Sequence, residues 1–278
     1  MPYKTINLAK EYGLKGGSLE CICMDMPFLD DRSLTWKRPA VIIVPGGGYA
    51  MNSEREATVI AAPFFARGFQ AFVLRYATAS DGVAYPEELL ELAAAFDYVR
   101  KNAKTFFVNP DEVFAVGFSA GGHLVADLAC EYASVEEKYG KPLDCKPTAV
   151  GLCYPVTYNN GHQGSYINLT KGMSDEQRER ILPTLDLDER VTKDMSPAFI
   201  WSTFEDTVVP CENSLRYASA MKKAGVRFAL HIYPFGEHGL ASSDNEISDY
   251  YGVNAVEYSR VWIDDCCKFF RIYVKEPY

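Results

Sequence analysis

No stretch of the chain is apolar for the roughly 20 residues that a membrane-spanning helix needs. Met1 to Lys10 mix polar and apolar residues, without the basic segment and apolar run of an export signal. A soluble, cytoplasmic protein is the expectation. Positive charge is also short. With 28 Lys and Arg against 37 Asp and Glu, the formal net charge is -9 at pH 7. Such a surface repels polyanions, which argues against nucleic acid and anionic membrane as partners. There are four histidines and no C-x-x-C pair, so a zinc site has no basis in spacing, and no metal or cofactor is expected. No internal repeat is evident.

The eight cysteines do not resemble a disulfide framework. Cys21 and Cys23 share one face of a predicted strand, while Cys130, Cys153, Cys266 and Cys267 lie in apolar periodic segments. Buried free thiols are expected. Cys211 follows Pro210 near a predicted helix start, a place that favours thiolate, although a structural thiol is the simpler reading.

What the chain does have is length and apolar content. Its 278 residues, 48% of them hydrophobic, suffice for one large α/β domain over residues 1–278. Two alternating segments, Tyr3 to Leu8 and Ser18 to Met26, read as antiparallel edge strands. Apolar strand runs follow at Pro39 to Val44, Gln70 to Tyr76, Val113 to Phe118, Ala149 to Val156, Ala198 to Thr203 and Arg227 to Tyr233. Between them lie helical patterns at Glu54 to Arg67, Tyr85 to Lys104, after Ser119, and Glu212 to Ala224 closed by Gly225. A last helix is predicted over Asn254 to Ile272. Pro63 should kink the first helix, and Asn109-Pro110-Asp111 should turn the chain into the strand that begins at Val113. Alternation of this kind implies a mostly parallel twisted sheet with helices on both faces. The segment from about 158 to 197 interrupts the alternation and reads as a cap or lid over the carboxyl ends of the strands.

One stretch carries chemistry. The apolar run ending at Phe118 passes at once through Gly117-Phe-Ser119-Ala-Gly121 into a helical pattern, which is a nucleophile elbow. The turn is so tight that Gly117 and Gly121 must lack side chains, and Ser119 Oγ projects above the sheet. A serine N-cap on an ordinary helix is the plain alternative. A serine hydroxyl needs a base and an acid to orient it. His238, in the loop Pro234 to Leu240, is the expected base. Asp206 is preferred over its neighbour Glu205 as the acid, because the shorter side chain at the later loop position suits the role. His123 should pack beneath the elbow, His231 lies within a strand, and His162 is placed on the insertion near the mouth. Pro45-Gly46-Gly47-Gly48-Tyr49 follows a strand and lacks the lysine and spacing of a phosphate loop. Its Gly47 and Gly48, with Ala120, are assigned as oxyanion donors. Tyr49, Tyr154, Tyr158 and Tyr166 lie near the predicted mouth and are candidates for packing on a sugar ring, with a structural role as the alternative.

In these motifs, together with Ser53-Glu-Arg-Glu56, Asp206-Thr-Val-Val-Pro210 and His238-Gly-Leu240, the chain from Pro39 onward resembles the α/β-hydrolase esterases and lipases. Within them it is similar to small carbohydrate esterases described as acetyl xylan esterases. The resemblance implies a serine carboxylesterase that cleaves short, acetyl-type esters, sugar esters among them, through an acyl-enzyme on Ser119. Its partner would be a small-molecule ester. Many relatives begin the oxyanion loop with His, where this chain has Pro45, so the loop needs a different brace. Arg55 and Glu56 resemble a family feature, and an exposed salt bridge is their plain reading. A peptidase of the prolyl-oligopeptidase type and a non-catalytic binding protein on the same scaffold remain as alternatives. The first lacks any sign of a propeller domain, and the second would be expected to have lost a triad member.

Overall fold

The computed structural model describes residues 3–24, 37–159, 163–244 and 253–275. The chain opens with β1 (Tyr3–Asn7), α1 (Leu8–Tyr12), β2 (Ser18–Ile22) and β3 (Arg38–Val44). Next come α2 (Thr58–Ala66), β4 (Gln70–Arg75), α3 (Glu87–Lys101), β5 (Val108–Phe118), α4 (Ala120–Glu131) and α5 (Val135–Tyr139). The second half contains β6 (Val150–Cys153), α6 (Gln163–Leu169), α7 (Asp175–Ile181), β7 (Ala198–Thr203), α8 (Glu212–Ala224), β8 (Phe228–Tyr233), α9 (Val253–Ser259) and α10 (Trp262–Arg271). Among the described residues, eight strands form one sheet in the order β1-β2-β4-β3-β5-β6-β7-β8. β1 and β2 pair antiparallel, and β2 pairs antiparallel with β4; the other pairings are parallel.

Strand alternation divides the core into two layers. Ala40, Ile42 and Val44 of β3 pack with α3, α4 and α8 on one side, whereas Val41 and Ile43 pack with α2 and α10 on the other. Both layers are buried, which explains why the parallel strands read as continuous apolar runs rather than alternating ones. The order reverses where β3 lies between β4 and β5, and the loops leaving β3 and β5 open a crevice there at the carboxyl ends of the strands. No described helix is long and apolar enough to cross a membrane.

Several predicted boundaries move. The helix expected from Glu54 begins only at Thr58. Glu54–Glu56 form a separate 3-10 turn, and Ala57 between them has φ -106 and ψ -114. Pro63 lies inside α2, so the break comes at Ala57 and the proline does not end the helix. Asn109, Pro110 and Asp111 sit inside β5 as an irregularity against β3 instead of preceding the strand as a turn. The strand expected to reach Val156 stops at Cys153, because Tyr154 turns to a φ of 37. The last predicted helix is two, α9 and α10. The residues just after β1 form α1, whose five residues are too few to display a helical period. All eight cysteines are free and seven are buried. Burial raises the Cys211 thiol rather than favouring its thiolate.

One buried group opposes stability. In α3, Glu88 is fully buried, and among the described residues neither carboxyl oxygen has a partner beyond its own backbone amide. Burial pushes Glu88 and Glu91 up to about 8 from an ordinary 4.5. Between those values the folded chain holds protons that the unfolded chain has released, so stability falls as pH rises through that window. Glu88→Gln removes one of the two groups. Its melting temperature relative to wild type is expected to climb by roughly 3 °C or more between pH 5 and pH 9. A difference that does not vary with pH in calorimetric scans would show that Glu88 does not titrate in this window.

Candidate active site

Ser119 stands between β5 and α4 with φ 51 and ψ -116, a conformation disfavoured for any residue with a Cβ. Its backbone is held on every side. The Ser119 N–H donates to Cys153 O at 3.0 Å, and its carbonyl accepts from His123 N at 3.0 Å and Val156 N at 3.2 Å. A Cβ on Gly117 would lie 2.3 Å from Gly121 O, and one on Gly121 would lie 2.3 Å from both Val44 O and Pro45 O. The obstructing atoms are backbone and cannot swing away. Glycine at both positions is therefore a steric requirement of the crossing.

Three distant segments meet at this serine. Ser119 Oγ lies 2.9 Å from His238 Nε2, and His238 Nδ1 lies 2.7 Å from Asp206 Oδ2. The other Asp206 oxygen accepts from the Val208 and Val209 amides at 3.0 and 2.8 Å, which fixes the plane of the carboxylate. Glu205 points elsewhere. Its Oε2 accepts from Gly236 N at 2.9 Å and so steadies the loop that presents His238. Thr203 Oγ1 donates to Gly236 O at 2.6 Å from the same side. Chemically, the arrangement lets an imidazole take the serine proton while a buried carboxylate holds the ring and faces the positive charge that develops.

The loop after β3 lies beside the serine, and Gly47, Gly48, Ser119 and His238 line one cavity of about 680 Å³. Gly47 has φ 120, and a Cβ there would fall 2.2 Å from Met51 O, so only glycine fits. The loop is braced by Tyr76 O–H donating to Pro45 O at 3.0 Å, by Asn168 Nδ2 donating to Gly48 O at 2.9 Å, and by Glu56. Glu56 is not the exposed ion-pair partner its sequence position implies. It is 3% exposed, and its Oε2 accepts from Gly46 N at 2.9 Å. Arg55 is exposed and lines the cavity.

The remaining expectations divide. His123 packs beneath the elbow, fully enclosed, with Nδ1 2.8 Å from Tyr49 Oη and Nε2 2.9 Å from Leu185 O. A carbonyl can only accept, so Nε2 carries the proton and Nδ1 accepts from the tyrosine. Burial lowers its pKa to about 4, and the ring is neutral near pH 7. His231 lies in β8 as expected, and His162 lies outside the described residues. None of the four tyrosines is a lining residue of the cavity. Tyr49, Tyr154, Tyr158 and Tyr166 are all buried, and the hydroxyls of Tyr49, Tyr154 and Tyr166 bond to His123, Glu56 and Leu185 O. Tyr158 is covered by the Arg216 guanidinium, 3.9 Å above its ring. Aromatic residues with a polar tip settle inward when the tip finds a partner there. Sequence reasoning missed Ser165 and Asn168 of α6 and Ser53 and Thr207, which do line the cavity. No spacing signal marks them, since Ser53 and Thr207 sit outside regular elements and the seven residues of α6 are too few to display a helical period.

The BD-FAE family profile matches residues 28–221. This chain belongs to the BD-FAE family. Among relatives of this BD-FAE member, endo-1,4-beta-xylanase B of Butyrivibrio fibrisolvens is 32% identical over 228 residues, 80% of this chain and 35% of that protein. An acetylxylan esterase of Xylanibacter ruminicola is 31% identical over 207 residues, 72% of this chain and 41% of that protein. The chain thus spans well under half the length of these two relatives. Among solved structures, the acetyl ester-xyloside bifunctional hydrolase of Caldicellulosiruptor lactoaceticus superposes with a TM-score of 0.81 at 30% identity, covering 97% of this chain and 96% of that one. A carboxylesterase from Lactobacillus plantarum reaches a TM-score of 0.83 at 25% identity, covering 100% of both chains. The BD-FAE chain has the α/β-hydrolase fold.

The two neighbouring carboxylates are expected to differ sharply on substitution. Asp206→Asn should lower kcat for nitrophenyl acetate on the order of 10⁴-fold, whereas Glu205→Gln, which loosens only Gly236, should cost about tenfold or less. Steady-state kinetics on the two variants check this, and the reverse order would exchange their assignments.

Proposed function

We propose that the protein is a serine carboxylesterase that hydrolyses short-chain, acetyl-type esters of polar alcohols such as sugars. The observation that carries this reading is the hydrogen-bonded series Ser119, His238, Asp206 opening on a cavity whose lining residues are polar or glycine apart from Met51, Val208 and Val209. His238 Nε2 takes the proton from Ser119 Oγ as the oxygen attacks the ester carbonyl. Asp206 holds the ring and offsets its charge. The N–H groups of Gly47, Gly48 and Ala120 receive the oxyanion of the tetrahedral intermediate. The protonated His238 then gives its proton to the departing alcohol, leaving the acyl group on Ser119. Water, activated by the same imidazole, attacks this ester and releases the acid and the free serine.

Cavity chemistry supports a short acyl group. Its only large apolar side chains among the described residues are Met51, Val208 and Val209, and Ser53, Ser165, Asn168 and Thr207 supply hydroxyl and amide groups suited to a polyol. A long acyl chain gains affinity at about 0.8 kcal/mol per buried CH₂ only where an apolar tunnel receives it. The sugar alcohol is supported by the relatives, two of which are described by their xylan or acetylxylan activity and one as an acetyl ester-xyloside hydrolase. The insertion from about 158 to 197 serves as a cap over the site, contributing Ser165 and Asn168. Unpaired thiols throughout the chain suit a reducing compartment, and we assign the enzyme to the cytoplasm.

Nitrophenyl esters from acetyl to lauroyl, and acetylated xylo-oligosaccharides, provide the test, with Ser119→Ala as the blank. Expected are kcat/KM values at least roughly tenfold higher for acetyl than for octanoyl, acetate release from the oligosaccharides, and no turnover by a folded Ser119→Ala variant. A preference for octanoyl overturns the short-acyl reading. Hydrolysis of nitrophenyl acetate without any acetate release from sugars removes the carbohydrate.

A further inference from the structure

We infer that Glu56 and Tyr154 form a clamp that keeps the Gly46–Gly48 loop in register with the His238 loop, making Glu56 a positioning residue for the reaction at Ser119. The inference rests on the esterase reading above and goes beyond it by assigning the brace that stands in for the missing histidine of the oxyanion loop. The Glu56 carboxylate lies buried between the two loops. Its Oε2 accepts from Gly46 N at 2.9 Å, and its Oε1 accepts from Tyr154 O–H at 2.8 Å. The Tyr154 oxygen in turn accepts from Ala241 N at 3.0 Å. Gly46 lies two residues before Gly48, and Ala241 lies three residues after His238, so one carboxylate and one phenol connect both loops. Hydrogen bonds to a carboxylate are roughly twice as strong as neutral ones, and the link is correspondingly stiff.

Both ends of the clamp are anchored. Ala241 O accepts from the indole N–H of the buried Trp262 at 3.0 Å, and Tyr154 N donates to Trp201 O at 2.6 Å. The Tyr154 ring also meets the His238 ring nearly edge-on, with centroids 5.0 Å apart. Tyr154 therefore touches the base directly with its ring and reaches the oxyanion loop through its hydroxyl. The break in helical geometry at Ala57 leaves Glu56 at the end of its own turn, beside Gly46 and apart from the face of α2. A Cβ on Gly46 would approach Glu56 Oε2 to 2.8 Å and Ser119 Cβ to 3.0 Å, which shows how little slack the junction has. Since the Gly46 N–H is taken by Glu56, it is withheld from the oxyanion, which leaves Gly47, Gly48 and Ala120 as donors. A loop freed from Glu56 can turn Gly46 inward and move those donors off the oxyanion, an effect felt in the transition state more than in the bound ester.

The experiment compares wild type, Ser119→Ala, Glu56→Gln, Tyr154→Phe and the Glu56→Gln/Tyr154→Phe double variant on nitrophenyl acetate, with amide hydrogen exchange measured over residues 44–50. Glutamine offers one acceptor oxygen where two are needed. Glu56→Gln is expected to lower kcat about 100-fold, comparable with losing one oxyanion donor, with KM within about threefold of wild type. Tyr154→Phe, which keeps ring and carboxylate, should lower kcat in the same direction. The double variant should be no worse than the poorer single one, because both cut the same link. Faster exchange at Gly46 in Glu56→Gln is expected as well, a readout that needs no turnover. If Ser119→Ala is inactive while Glu56→Gln keeps kcat within threefold of wild type, or if the two losses multiply, the clamp is overturned and the esterase reading stands. If wild type and Ser119→Ala are equally inactive, the esterase reading fails, and unchanged exchange at Gly46 then overturns the clamp separately.

Discussion

Three stretches of backbone cross at Ser119 with no room for a side chain between them, and the rest of the site follows from that crossing. The carbonyls of Val44 and Pro45 lie against Gly121, and the carbonyl of Gly121 lies against Gly117. The ends of β3 and β5 are thereby forced together at the point where the strand order reverses. Strain in the serine backbone persists because Cys153, His123 and Val156 hold its amide and carbonyl from outside. The loop after β3 cannot drift away from Ser119, since its first residue is part of the crossing itself.

Carboxylates organise the remaining loops. Asp206, Glu205 and Glu56 each accept from one or more backbone amides in a loop that reaches the site: Val208 and Val209, Gly236, and Gly46 respectively. Glycine-rich loops gain the freedom to approach the serine closely but lose the order that side-chain packing would supply. At Asp206 and Glu56 a buried carboxylate that accepts more than one hydrogen bond restores that order without filling space. The histidine beneath the elbow, His123, works in the same manner from the opposite side, as a neutral link between Tyr49 and Leu185.

The segment between β6 and β7 is stitched to the machinery. Leu187 N donates to Thr157 O, Leu185 O accepts from His123, and Asn168 reaches Gly48. Residues that shape the cavity wall are thus bonded to the loop that would receive the oxyanion. A change at Asn168 therefore alters the cavity wall and the Gly47–Gly48 loop together.

Local sterics and periodicity are written in the chain itself. The elbow glycines, the apolar strands between helical patterns and the place of His123 beneath the elbow were legible, because each depends on neighbours within a few residues or on a period of two or 3.6. What tertiary structure alone decided concerns side chains whose partners are far away in sequence. Asp206 and Glu205 are adjacent carboxylates on one loop; side-chain length favoured the first as the partner of His238, but only the path of the loop gives the second its bond to Gly236. The inward turn of Tyr49, Tyr154 and Tyr166 followed from buried acceptors that no spacing announces. Glu56 reads as a surface charge beside Arg55 until the chain breaks at Ala57 and Gly46 and Tyr154 close around it. A polar side chain takes its place where its hydrogen bonds can be met, and in this protein those partners are supplied by segments that come together only on folding.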